Sequence, residues 1–95
     1  MAISFDIALE VVQRSIRSAG GTRKEITVDK QLEQLKITDQ FAVDGLIDRI
    51  ANSKSVGLPS LKPPHKINEN LLIDIGTSTT VGEVVDIVGS SAVPA

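Results

Sequence analysis

The sequence predicts an all-α domain, a four-helix bundle of three longer helices and one short helix placed just before the last. A long loop follows the first helix. Three observations lead there. Apolar residues recur at spacings of three and four in three separate segments. The segments are separated by glycine and proline clusters that cannot continue a helix. The apolar content is almost wholly aliphatic: 41% of the 95 residues are hydrophobic, yet the chain has two Phe and no Trp or Tyr. That length suits one domain with one modest core, so residues 1–95 read as a single unit. The ordered core is expected over about 5–88, with a flexible tail over 89–95.

The first helix is expected from Phe5 to Ala19. Phe5, Ala8, Val12 and Ile16 form its stripe, with Ile7 and Val11 alongside. Ser4 suits the N-cap, and Asp6 and Glu10 lie toward the positive end of the helix dipole. Gly20-Gly21 stops the helix, because glycine takes the left-handed turn that follows a helix end. Thr22 to Thr38 is then a long connection with apolar anchors at Ile26, Val28, Leu32, Leu35 and Ile37, and with a short helical turn near Gln31 to Leu35.

The second helix is expected from Asp39 to Ser53, capped by Thr38 or Asp39. Its apolar stripe is Phe41, Leu46, Ile47 and Ile50, with Ala42 and Val43 nearby. Gly45 is either tolerated or admits another backbone. Ser53 to Lys66 reads as loop, since Gly57, Pro59, Pro63 and Pro64 oppose helix. A short third helix is expected at about Asn68 to Ile73, ended by Gly76. In the last helix Thr79 or Thr80 is the cap, and Glu83 stands three residues after Thr80, as in a capping box. Val81, Val84, Val85 and Val88 form the buried face, with Ile87 at its edge. Because valine favours strands, a β-strand is the competing reading there.

The composition removes several function classes. Without Cys there is no disulfide, thiolate metal site or cysteine nucleophile. His65 is the only imidazole, and no Asp/Glu set has metal-loop spacing. A net charge of -2 and the shortage of aromatic rings argue against nucleic-acid binding. No apolar run approaches the roughly 20 residues a membrane span needs, and Met1 to Phe5 lacks the pattern of a signal peptide. A monomeric cytoplasmic protein without an enzymatic activity of its own is the expectation.

Several segments match one family in order and spacing. Glu25-Ile26-Thr27 resembles the Glu-Val-Thr that follows helix one of acyl and peptidyl carrier proteins. Leu32-Glu33-Gln34-Leu35 resembles their Phe-x-x-Asp-Leu segment, and Asp39-Gln40-Phe41 stands where they have Asp-Ser-Leu. Leu46, Ile47 and Ile50 fall on the family's helix-two core spacing. Thr79 to Ile87 is similar to the family's last helix, which opens Thr-Thr-Val. The resemblance covers Ile7 to Val88 and implies the carrier-type four-helix bundle.

Two departures qualify what it implies. One extra residue lies between Leu35 and Asp39, and Lys36 replaces the usual Gly. At the serine that carries the family's phosphopantetheine arm, this chain has Gln40, or Asp39 in the alternative register. Neither has a hydroxyl to attack the pyrophosphate of coenzyme A. Thr38 is the nearest hydroxyl, ahead of the helix, while Ser53, Ser55, Ser60 and Ser78 lie beyond helix two. Phosphopantetheine is therefore not expected.

Asp39, Asp44 and Asp48, with Gln40 and Phe41, form either a face for a basic partner or an ordinary solvated, capped helix start. The loop Lys62-Pro63-Pro64-His65-Lys66 either meets an acidic group or is a proline-stiffened connection. The expected role is a carrier-like domain acting as a non-catalytic protein-interaction module. The resemblance suggests a partner from fatty-acid, polyketide or peptide synthesis. The alternatives are a carrier with an atypical attachment site and an unrelated small helical adaptor.

Overall fold

Ser4 opens the first helix by accepting the Ile7 backbone N–H on its Oγ at 3.3 Å. In this computed structural model, residues 4–22, 25–51, 66–67 and 74–93 are described. Helix α1 spans Phe5–Ser18 and buries Ala8, Val11, Val12, Ser15 and Ile16. It ends in a Schellman turn: Gly20 N–H reaches the Arg17 carbonyl and Gly21 N–H the Ile16 carbonyl. Gly20 has φ 89, which a side chain opposes. A Cβ on Gly21 would lie 2.5 Å from Ile16 Cγ2, so both glycines have a steric reason.

The long connection is pinned rather than loose. Gln13 Nε2 donates to the Ile26 carbonyl at 3.0 Å, and Thr22 N–H donates to the Leu35 carbonyl at 2.9 Å. Leu32–Leu35 forms a 3-10 turn where the short helical turn is expected. The connection also lies along the segment that leads into the last helix. Leu32 and Glu33 donate their N–H groups to the carbonyls of Thr79 and Thr77; Val81 and Gly82 donate to those of Lys30 and Val28. Ile26, Leu32, Leu35 and Ile37 are buried anchors. Val28 is not an anchor: its carbonyl is held by Gly82, and its side chain is 42% exposed. A Cβ at Gly82 would come within 3.1 Å of that carbonyl, so glycine lets the two backbones approach.

Helix α2 spans Gln40–Ala51 and buries Val43, Leu46 and Ile50, with Ala42 and Ile47 partly covered. Phe41 departs from its expected place in the stripe, as it is 88% exposed. At about 100° per residue it lies on the far side of the helix from Val43. Near Gly45 no backbone approaches among the described residues; only the Arg49 guanidinium comes within reach of a Cβ, at 3.3 Å. Arg49 Nε also donates to Ser18 Oγ at 3.1 Å, linking the last turns of α2 and α1.

Helix α3 spans Val81–Ser91. Thr80 and Glu83 form the expected capping box, with Glu83 N–H on Thr80 Oγ1 at 3.2 Å and Thr80 N–H on Glu83 Oε1 at 3.3 Å. Val81, Val84, Val85 and Val88 are fully buried. Helical spacing lets these four share one face, which excludes the strand reading. The valines, with α1 packed against both α2 and α3, make one aliphatic core. Full burial of each such side chain is worth about 1.5–3 kcal/mol.

The C-terminal boundary differs from the expectation. The helix continues past Val88 to Ser91, with Gly89 buried, so the regular structure reaches three residues beyond the expected limit of the core at 88. The next two residues, Ala92–Val93 (strand β2), pair antiparallel with Lys66–Ile67 (strand β1). Composition carries no signal for this two-residue pairing. Apart from this two-residue pair the fold is all-α, with three α-helices among the described residues. The short helix expected at Asn68 to Ile73 lies outside them.

Candidate functional site

The start of α2 is built by the turn that precedes it. Leu35 is buried, and Lys36 then takes a left-handed conformation, φ 67 and ψ 17. That is the backbone region where glycine is favoured. The Lys36 and Ile37 N–H groups both turn back to the Leu32 carbonyl. Ile37 is fully buried and anchors the chain against the core. Thr38, Asp39, Gln40 and Phe41 emerge from this anchor into solvent.

Asp39 is the cap, as its Oδ1 accepts the Ala42 N–H at 2.8 Å. A carboxylate at this place satisfies a free amide and meets the positive end of the helix dipole. Gln40 does not extend toward solvent alone. Its Nε2 donates to Asp44 Oδ1 at 2.9 Å, one turn along the helix. Asp44 and Asp48 are exposed. Phe41, Asp44 and Asp48 stand at spacings of three and four and therefore share a face. All five expected residues are exposed: Asp39 as the cap, Gln40 on the first turn, and Phe41, Asp44 and Asp48 along one face of α2.

These five residues offer an apolar ring, three carboxylates and an amide bonded to Asp44, with no hydroxyl on the first turn of the helix itself. Thr38 is exposed but precedes the cap. Ser78 is exposed, at the opposite end of the chain's order, with its carbonyl accepting from Gln31 Nε2. Ser53, Ser55, Ser60 and the stretch from Lys62 to His65 lie outside the described residues. Among the described residues no group of three His, Asp or Glu side chains is placed to hold a metal ion. No helix among them is long and apolar enough to cross a membrane.

Two polar features lie off the patch. Asp29, on the first connection, has its carboxyl held below the ordinary aspartate range, mainly by the Thr27 hydroxyl, then by its own backbone N–H and the Lys30 charge. Ser15, inside α1, is fully buried and its Oγ finds no partner among the described residues.

Phe41 is expected in the apolar stripe of α2 but is 88% exposed, because an aromatic beside a cap reads equally as core or as surface. The left-handed turn at Lys36 carries no signal in the sequence, since lysine does not mark a turn. No family model matches this chain, and neither a curated protein nor a solved structure matches it.

Proposed function

We propose that this chain is a carrier-like domain that never holds an acyl group and serves as a non-catalytic protein-interaction module. The observation that carries the reading is Phe41, 88% exposed on a helix face whose other members are Asp44 and Asp48. An exposed ring on a rigid helix costs little entropy to bury, and aromatic side chains recur as binding hot spots. The flanking carboxylates favour a partner whose apolar pocket is rimmed by Lys or Arg, and they would speed its approach. The resemblance suggests an enzyme of fatty-acid, polyketide or peptide synthesis as that partner. Gln40, tied to Asp44, supports the absence of a prosthetic arm, because an amide cannot form the phosphodiester link.

Incubation with coenzyme A and a broad-specificity phosphopantetheinyl transferase, read by intact mass, tests this. The wild type is expected to keep its mass. A stoichiometric adduct on it would overturn the proposal, and an adduct mapped to Thr38 would establish a carrier with an atypical site. The Gln40→Ser variant is expected to gain the adduct, since only the attachment atom is then restored. If Gln40→Ser also stays unmodified, the kinship with carriers loses its support and an unrelated helical adaptor becomes the better reading.

A further inference from the structure

We draw no further inference here: the strongest candidate, the exposed Phe41 with Asp44 and Asp48 on the outer face of α2, belongs to the site already described, and nothing in the structure shows what covers it.

Discussion

Gln40 Nε2 lies 2.9 Å from Asp44 Oδ1, so the first side chain of α2 is bound to its own helix one turn on. An exposed bond of this kind contributes only a few tenths of a kcal/mol, about 0.2–0.5. The cap beside it is worth more. Asp39 satisfies the Ala42 amide, and its replacement by alanine leaves that donor without a side-chain partner. Asp39→Ala is expected to lower stability by about 0.5–2 kcal/mol, Asp39→Asn by much less, and Gln40→Ser by about 0.5 kcal/mol or less. Urea unfolding followed by circular dichroism measures all three. Equal losses in Asp39→Ala and Asp39→Asn would show that the carboxylate's charge, rather than its capping oxygen, starts α2.

Lys36 and Gly20 sit in left-handed backbone with opposite suitability. A non-glycine residue there is strained by about 1–2 kcal/mol, while glycine's extra freedom in the unfolded chain costs about 0.4–1 kcal/mol. Lys36→Gly is therefore expected to stabilise the fold by roughly 0.5–1 kcal/mol. Gly20→Ala is expected to destabilise it by more than about 1 kcal/mol, although no atom crowds the position. Thermal melts of both variants give the signs. A destabilised Lys36→Gly would mean that the lysine side chain contributes something beyond its backbone shape.

The last helix was the most legible element, because cap and core share one pattern: Thr80 and Glu83 set its start, and the four valines repeat at helical spacing. Helix α1 was legible in its limits, Ser4 and the glycine pair, but Phe5, expected in its stripe, is 43% exposed at the helix start. The anchors Ile26, Leu32, Leu35 and Ile37 could be picked out as apolar residues in a polar stretch. What escaped depends on contacts between distant segments. Val28 resembles an anchor, yet its backbone carries the contact, through Gly82. Ala92–Val93 pairs with Lys66–Ile67 over a register only two residues long, too short to leave a period in the sequence. The patch residues were legible as a set, but the face that Phe41 takes follows from Val43, Leu46 and Ile50 claiming the other side of α2.

Asp29 is the described carboxyl whose hydrogen bonding points to an acid-side titration. Its carboxyl is lowered chiefly by the hydrogen bond from Thr27, and it is fully exposed. A carboxyl whose folded value is depressed adds stability above its unfolded value, and that contribution fades as pH falls through the folded value. Thr27→Val is expected to move the Asp29 titration midpoint upward toward the ordinary aspartate value. Carboxyl-carbon NMR between neutral and strongly acidic pH measures it. An unmoved midpoint would assign the depression to the backbone N–H and Lys30 instead.

Phe41 and Leu46, five residues apart on α2, lie on opposite sides of the fold's surface: the ring is 88% exposed and the leucine fully buried. Leu46 is fully buried in the aliphatic core, and its truncation to alanine is expected to cost about 2–5 kcal/mol. Phe41 already faces solvent, so Phe41→Ala is expected to change stability by no more than about 0.5 kcal/mol. If the outer face of α2 is the recognition surface, the same Phe41→Ala substitution removes most binding to a basic partner, by about tenfold or more. Asp44→Asn with Asp48→Asn should slow association and flatten its salt dependence while leaving the ring in place. Denaturation with Phe41→Ala and Leu46→Ala checks the first half. Titration of the Gln40→Ser protein with the transferase, with and without Phe41→Ala, checks the second, because on the proposed carrier-like reading the transferase meets this end of α2. Unchanged transferase affinity in the Phe41→Ala background would leave the ring without a recognition role and remove the observation on which the interaction reading rests.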